Sequence, residues 1–181
     1  ALPAHPLSAE ALWIRTVPAV RLPGPGIAYP HAVERFYQGF LPHYRIAADG
    51  IVYFVTWRLA PGQPPLRDDE RDVVAAALRH WEAVKCRLHG FVVMDDHVHV
   101  LVSPLAEVAL ERLLQSWKSY TASRLIRGSG RHGPVWQHES YDRVVRNEVE
   151  LEQLTKYVAG NPARRWPHRV DYRWAWSAGE R

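Results

Sequence analysis

The segment Phe91–Pro104, FVVMDDHVHVLVSP, decides the fold, because it joins two runs of apolar residues through a turn signal. Asp95 and Asp96 favour a turn, so the segment predicts a β-hairpin. Successive strand side chains point to opposite faces of a sheet, which places His97 and His99 on one face and the intervening valines on the other. We therefore predict a strand that carries two neighbouring imidazoles on its open face and core residues behind them.

This histidine pair is a candidate metal site. Histidine is the commonest nitrogen ligand of metals in proteins, and two imidazoles on a rigid strand suit a divalent ion. His97 and His99 alone are a weak signal, since solvent-facing histidines on a half-exposed strand would give the same pattern. The choice between the two interpretations depends on the rest of the chain.

Composition limits the class of protein. The chain has 181 residues, 47% hydrophobic and 23% charged, which predicts one globular domain with a core. It has no apolar run of about 18 residues, so we expect no membrane span. The first residues lack a basic segment followed by an apolar one, so we expect no secretory signal. The single cysteine, Cys86, excludes an internal disulfide and favours a reducing, cytoplasmic location.

Charge and aromatic content point to a nucleic-acid partner. The net charge is +4, with 20 Arg against 3 Lys, and the chain holds 8 Trp and 8 Tyr. Arginine binds phosphates through two parallel hydrogen bonds and stacks on bases. Nucleic acid is therefore the predicted partner, ahead of acidic small molecules.

The hydrophobic pattern predicts an α+β domain. Residues 1–43 are rich in Pro and Gly and predict an irregular arm with a short helix at His31–Phe40, while residues 44–181 are predicted to form one folded domain. The predicted elements are, in order, a strand at Gly50–Leu59, a helix of about 18 residues from Asp68, the hairpin, a helix at Glu107–Arg127, an extended segment at Val135–Val145, and a helix from Asn147 that stops at Gly160-Asn161-Pro162. This order favours an antiparallel sheet with helices packed on it, of ferredoxin-like type.

Tyr120 is the candidate nucleophile. On the helix Glu107–Arg127 it lies about a quarter turn from the centre of the apolar stripe, where its phenol can point toward a neighbouring site. Beside a divalent ion, a phenol could attack a scissile phosphate and form a phosphotyrosine. The alternative is a surface tyrosine of an amphipathic helix with its hydroxyl in water. Tyr141, in the extended segment, is the second candidate.

Five ordered blocks carry a family resemblance. They are LPHYR with YFVTWRL, then GFVVMDDHVHVLVSP, LLQSWKSYTASRLIR, GPVWQHESYDRVVRNEVELEQLTKYVAGNP and DYRWAWSA, over about residues 41–177. In these blocks the chain resembles the HUH single-strand DNA transposases with one catalytic tyrosine. Within them it is most similar to the REP-associated tyrosine transposase branch of the IS200/IS605-like group.

The resemblance implies a mechanism and a substrate. His97 and His99 correspond to the HUH metal pair, with Mg²⁺ or Mn²⁺ as cofactor, and Tyr120 corresponds to the nucleophile. The implied activity is metal-dependent cleavage and strand transfer of hairpin-bearing, REP-like single-stranded DNA through a 5′-phosphotyrosine. The implied assembly is a monomer or a homodimer. A catalytically inactive, domesticated module that only binds single-stranded nucleic acid is the alternative, and a metal hydrolase of small molecules is a third.

The chain departs from the family pattern at the third metal ligand. Related transposases often supply Gln or Asn one turn after the tyrosine, whereas Arg124 stands there in this chain and cannot ligate a cation. Asp96, Glu139, or a DNA phosphate with waters remain open as substitutes. Asp95-Asp96 also replaces a common Pro-Asn, which makes Asp96 a candidate for orienting a histidine from behind.

Basic residues are the predicted DNA contacts. They are Lys118 and Arg124 near Tyr120, Arg143 in the following block, and Arg164, Arg165 and Arg169 in the basic, aromatic tail. A charged tail that is only a solvated surface is the alternative interpretation for the last three. For Trp136, in the same block as Arg143, packing is preferred over a DNA contact.

Overall fold

The computed structural model describes residues 50–105 and 108–178. The predicted arm at 1–43, with its short helix, lies outside the described residues. The described elements are β1 (Tyr53–Arg58), α1 (Asp68–His80), β2 (Cys86–Val93), β3 (His97–Pro104), α2 (Leu110–Ser129), β4 (Tyr141–Val144), α3 (Glu148–Arg165) and β5 (Ala175–Ser177). Within these residues, no helix combines the length and apolar character needed to cross a bilayer.

The strands form one sheet in the order β4-β1-β3-β2-β5, and every neighbouring pair is antiparallel. The succession β1-α1-β2-β3-α2-β4 is that of a ferredoxin-like domain, in which β3 lies between β1 and β2. The predicted α+β, ferredoxin-like class is thereby confirmed. α3 and β5 extend this unit at its C-terminal end.

The hairpin that decided the fold is present. Asp95 and Asp96 form its turn, and Met94 N donates to His97 O across it at 2.8 Å. β3 lies at the centre of the sheet, hydrogen-bonded to β1 on one side and to β2 on the other. A strand held on both sides is a rigid support for functional side chains.

The two faces of the sheet are covered by different helices. On the α1–α2 face, α1 and α2 pack on the larger core, where Trp57 and Trp117 stack with ring centroids 6.2 Å apart. On the α3 face, α3 packs on a smaller cluster that contains Phe54, Leu101 and Val158. Strand alternation assigns each side chain of β1 and β3 to one of these faces.

The first helix is shorter than predicted, and the segment after it is not helical. α1 ends at His80, and Ala83 adopts a left-handed φ of 60°, which a continuing helix does not permit. Val84, which falls within the predicted helix of about 18 residues, is 66% exposed. Cys86, just beyond that predicted helix, is buried at the start of β2.

The last helix is longer than predicted. α3 begins at its predicted cap, where Asn147 Oδ1 accepts from Glu150 N at 2.8 Å, but it continues through Pro162 to Arg165. Proline has a helical φ and costs mainly one backbone hydrogen bond, so one further turn is possible. That turn is closed by Trp166 N, which donates to Pro162 O at 2.7 Å. The strand β5, which pairs with β2, was not predicted.

Candidate active site

The two histidines point to the α3 face. His97 and His99 alternate along β3 with Val98 and Val100, which are fully buried in the core of the α1–α2 face. Because alternate strand residues share a face, the two imidazoles lie on the opposite side, beneath α3. In the register of β1 and β3, Thr56 is the direct partner of His99.

His99 is buried, which corrects the expectation that it lies on an open face. It is 2% exposed, its Nδ1 is hydrogen-bonded to Thr56 Oγ1 at 2.7 Å, and its ring stacks on Phe54 at 5.3 Å. Burial, with a smaller contribution from the neighbouring His97, holds the pKa of His99 well below its usual value. His99 is therefore a neutral imidazole with Nε2 as its remaining ring nitrogen, the form in which histidine binds a metal.

His97 lies nearer the surface, with 16% of its side chain exposed. Its Nδ1 lies 2.5 Å from Asp96 Oδ1, and its ring centroid is 4.6 Å from that of His99. The hydrogen bond to His97 is the main reason that the pKa of Asp96 is lowered, with Arg58 adding to the effect. The neighbouring rings thus each engage Nδ1 with a protein group and leave Nε2 for a ligand.

α3 runs alongside β3 and contacts it at two points. At one point the ring of Tyr157 lies 5.4 Å from the ring of His99. Two turns later, Arg165 Nη2 donates to Asp95 Oδ2 at 2.9 Å, at the hairpin turn. Residues four apart share one face of a helix, so Tyr157, Asn161 and Arg165 lie on the same side of α3, the side that makes these two contacts.

Asn161 lies between those two contacts. Four helix residues advance about 6 Å and two strand residues about 7 Å, so ideal geometry predicts that Asn161 on α3 is level with His97 on β3. Asn161 is 9% exposed, and its Nδ2 donates to Tyr157 O at 2.9 Å. With the amide nitrogen engaged, its Oδ1 is the atom left to accept from, or ligate, a group near the histidines.

These donors fit a divalent cation. Two imidazole nitrogens and one amide oxygen form a mixed set that suits an ion which also keeps waters or binds phosphate oxygens. No group of three or more His, Cys, Asp or Glu side chains with metal-site geometry occurs among residues 50–105 and 108–178. Each carboxylate oxygen of Asp96 has a hydrogen-bond partner within the protein, Arg58 for Oδ2 and His97 for Oδ1, which places Asp96 behind His97.

The family follows from the sequence match. The family model described as "Transposase IS200 like" matches residues 53–161, more than half of the chain. This chain belongs to the IS200-like transposases. It is therefore a transposase, as the five sequence blocks predicted, and the match runs from β1 to Asn161 on α3. A comparison with curated protein sequences finds no significant match.

The fold agrees with that of a solved transposase structure. The transposase is similar to a REP-associated tyrosine transposase solved with a REP hairpin, at 16% identity and a TM-score of 0.54, over 70% of this chain and 75% of the other. It is also similar to a proposed transposase from Deinococcus radiodurans R1, at 19% identity and a TM-score of 0.47, over 65% and 95% of the two chains. At 16% identity, the likeness to the REP-associated tyrosine transposase concerns the fold alone.

The structure does not bring Tyr120 to the histidines. α2 packs on the α1–α2 face through residues such as Trp117, so the sheet separates it from His97 and His99. Tyr120 is 55% exposed. Its predicted role as nucleophile thus has no support within one subunit and stays a prediction for a site shared between two copies. Tyr141 lies on the α3 face, but on β4, two strands from His99.

Two of the predicted DNA contacts are engaged within the transposase. Lys118 Nζ donates to His138 O at 2.8 Å and to Ser140 Oγ at 3.1 Å, and burial lowers the pKa of Lys118 to about 8. Arg143 is buried, with Nη1 2.5 Å from Glu150 Oε1. Both side chains hold β4 and its flanking segments in place, which makes a phosphate contact by either one costly.

The remaining predicted contacts divide into engaged and exposed side chains. Arg165 is paired with Asp95, and Arg169 Nη2 lies 3.3 Å from Asp68 Oδ2. Arg124 is exposed on α2, on the far side of the sheet from the histidines. Arg164 is exposed on α3, with its guanidinium carbon 5.0 Å from the centre of the Tyr157 ring. Among the described residues, Arg164 is thus the one predicted DNA contact that touches Tyr157.

The sequence contained a signal for Tyr157 that our prediction missed. Related transposases often supply Gln or Asn one turn after the nucleophile, and for Tyr120 that position is Arg124, which cannot ligate a cation. Tyr157 and Asn161 have that spacing, in the block LTKYVAGNP. Assigning Asn161 to a helix stop removed the pair from consideration, although both residues lie within α3.

Proposed function

We propose that this transposase cleaves and rejoins single-stranded DNA with Tyr157 as its nucleophile and with a divalent ion, Mg²⁺ or Mn²⁺, at His97 and His99. One observation carries the proposal: the Tyr157 ring lies 5.4 Å from the ring of His99 within a single subunit. The family match supports transposition as the context, since it covers both the histidine strand and Tyr157.

Each residue would have a defined role. His97 and His99 would hold the ion through Nε2, and Asn161 through Oδ1. When bound, the ion would polarise the scissile phosphate and stabilise the charge that develops in the transition state. The Tyr157 oxygen would attack phosphorus, lose its proton to solvent, and form a bond while the bond to the 3′ oxygen breaks. The products would be a 5′-phosphotyrosine and a free 3′-hydroxyl, and attack by another 3′-hydroxyl would rejoin the strand.

Hairpin-bearing DNA is the substrate we propose. The similar structure of a REP-associated tyrosine transposase was solved with a REP hairpin, and this chain has a net charge of +4. Arg164 supports a backbone contact beside the scissile phosphate, because its exposed guanidinium lies next to the Tyr157 ring and planar guanidinium groups bind phosphate in a bidentate way. An arrangement complete within one subunit favours action as a monomer over a homodimer.

A covalent-capture experiment tests the proposal. The purified protein would be incubated with Mn²⁺ and single-stranded oligonucleotides that carry the palindromes flanking its own gene. We expect a denaturant-resistant protein–DNA band whose modified peptide contains Tyr157. Removing a covalent nucleophile lowers turnover by roughly 10⁶-fold in a well-studied enzyme, so the Tyr157→Phe variant should give no detectable band.

Matched phenylalanine variants separate the candidate tyrosines. The Tyr120→Phe and Tyr141→Phe variants should retain the band, because each removes one hydroxyl and keeps the ring. A band lost only in the Tyr120→Phe variant would instead support a site shared between two subunits. A wild-type protein that binds the hairpin tightly but gives no band would favour the inactive, nucleic-acid-binding module.

A further inference from the structure

Asp96 is held between two side chains from different strands. Arg58, the last residue of β1, donates from Nη2 to Asp96 Oδ2 at 2.9 Å, and the other oxygen, Oδ1, lies 2.5 Å from His97 Nδ1. Arg58 is also the direct register partner of His97. The three groups form a chain, guanidinium–carboxylate–imidazole, across the end of the β1–β3 pair.

The chain of contacts fixes which ring nitrogen of His97 carries hydrogen. An ionised carboxylate only accepts hydrogen bonds, so Nδ1 of His97 must be the donor. When the ring is neutral, its lone pair is then on Nε2, the nitrogen left for a ligand. A carboxylate behind a metal-binding histidine also raises the basicity of the ligating nitrogen.

The other histidine of the pair is supported differently. His99 Nδ1 faces the hydroxyl of Thr56, a neutral group that can donate or accept, and the ring is buried. Thr56 therefore does not impose a tautomer on His99 in the way that a carboxylate does. The carboxylate of Asp96 therefore acts on His97, the more exposed of the two rings. Without that hydrogen bond, the His97 imidazole could rotate in contact with solvent.

We propose that Arg58 and Asp96 are a positioning pair that fixes the Nδ1–H tautomer and the orientation of His97, and thereby strengthens divalent-ion binding at its Nε2. The affinity part rests on the proposed function, whereas the tautomer part concerns the metal-free protein. Arg58 acts by holding the carboxylate in place, since without it the exposed Asp96 side chain could turn into solvent.

Calorimetric titration with Mn²⁺, in the absence of DNA, tests the affinity part. The Asp96→Ala variant should bind Mn²⁺ about 10- to 100-fold more weakly, the range found when partners of metal-binding histidines are removed. The Asp96→Asn variant should lie between Ala and wild type, because its amide oxygen still accepts from Nδ1 without a full charge. Arg58→Gln should weaken binding less than Asp96→Ala does. Asp69→Asn, which alters an exposed carboxylate on α1 paired with Arg67, is the control and should bind as wild type.

Nitrogen-15 spectra of the histidine side chains, recorded without metal at a pH where imidazoles are neutral, test the tautomer part. His97 should show hydrogen on Nδ1 in the wild type and shift toward the Nε2–H form in Asp96→Ala. A merely structural role for Asp96 would lower the melting temperature without this shift. If the Asp96→Ala variant does not fold, the Asp96→Asn variant is used for both the Mn²⁺ titration and the nitrogen-15 spectra.

The outcomes separate this inference from the proposed function. Unchanged Mn²⁺ affinity in Asp96→Ala, together with weaker binding in His97→Ala, would overturn the positioning pair and leave the metal site intact. Unchanged affinity in His97→Ala would overturn the metal site itself. A wild-type His97 with hydrogen on Nε2 would overturn the tautomer assignment, whatever the ion affinity.

Discussion

The two faces of the sheet differ in the kind of residue they bury. The α1–α2 face buries Trp57, Trp117 and Trp136 in the larger core, where Trp136 Nε1 donates to Thr121 Oγ1 and the indole nitrogens of Trp57 and Trp117 have no hydrogen-bond partner among the described residues. The α3 face has a smaller apolar cluster and buries His99 and Asn161 beside it. Apolar burial is the main source of stability, and it is largest on the α1–α2 face. The candidate metal ligands lie on the α3 face, so the main core and the candidate site are on opposite sides of one central strand.

The largest effect on stability should come from the α1–α2 face. Trp117 is 1% exposed and stacks on Trp57, so the Trp117→Ala variant leaves a large cavity. Truncating a buried tryptophan costs about 3–5 kcal/mol. We expect that loss in the free energy of unfolding, measured by urea titration, with the Mn²⁺ affinity of the folded protein unchanged.

Phe54 on the α3 face provides the matched comparison. It is 2% exposed, so the Phe54→Ala variant also leaves a cavity and should lower the free energy of unfolding by about 3–5 kcal/mol. Because the Phe54 ring stacks on His99, the same variant should also weaken Mn²⁺ binding. If Trp117→Ala weakened Mn²⁺ binding as much as Phe54→Ala, the division of roles between the faces would be wrong.

A buried ion pair on the α1–α2 side should give the next effect. Arg131, in the segment after α2, donates from Nε and Nη2 to the two oxygens of Glu70, which is fully buried in the first turn of α1. Removing one partner of a buried pair leaves an uncompensated charge and costs about 3–5 kcal/mol. Arg131→Met should lose about 3 kcal/mol in urea unfolding, at the low end of that range because Glu70 can take up a proton.

The control for this prediction removes both charges. Glu70→Gln combined with Arg131→Met leaves no buried ion, so the double variant should be more stable than Arg131→Met alone. A double variant less stable than the single one would mean that the carboxylate is satisfied by other groups, such as Arg67 N, which donates to Glu70 Oε2 at 2.8 Å.

The sequence predicted the sheet better than the site, for a physical reason. Along Phe91–Pro104, alternate residues lie on opposite faces of a strand, and Asp95 and Asp96 indicate the turn of the hairpin. The fold class could therefore be predicted from local sequence pattern. Which face a helix covers is a long-range property: α2 and α3 have similar amphipathic patterns yet pack on opposite sides. Tyr157 is 58 residues from His99 in sequence, and only the packing of α3 brings the two rings together.

A smaller effect should distinguish two arginines of the C-terminal region. Arg164 is exposed beside Tyr157, whereas Arg169 is paired with Asp68 and lies over the ring of Trp174 at 5.0 Å. Removing one side chain that binds a phosphate of single-stranded DNA lowers the slope of log affinity against log salt by roughly 0.7. Arg164→Ala should lower the slope by about that amount and Arg169→Ala should leave it unchanged. Equal slopes in the two variants would mean that Arg164 is a solvent-exposed surface residue that does not contact the DNA backbone.

The smallest effect concerns Lys118, which ties α2 to the segment before β4. Burial lowers the pKa of Lys118 to about 8, from an ordinary value of 10.5. Between these values the unfolded chain keeps a proton that the folded chain has released, so the contribution of Lys118 to stability rises with pH over that window. Below pH 8, where both states are protonated, the cost of burying the charge is present in full.

The Lys118→Met variant lacks this titration and provides the measurement. The free energy of unfolding of the wild type minus that of the variant should increase from pH 8 to pH 10.5, with a slope below the limit of about 1.4 kcal/mol per pH unit for one proton. Taking the difference cancels the tyrosines and the cysteine that also titrate there. A flat difference would mean that the Lys118 ammonium stays charged on its three oxygen acceptors. In that case the Lys118 ammonium would make ordinary ion–dipole contacts on the α1–α2 side, and the interpretation of the histidine site on the α3 face would not change.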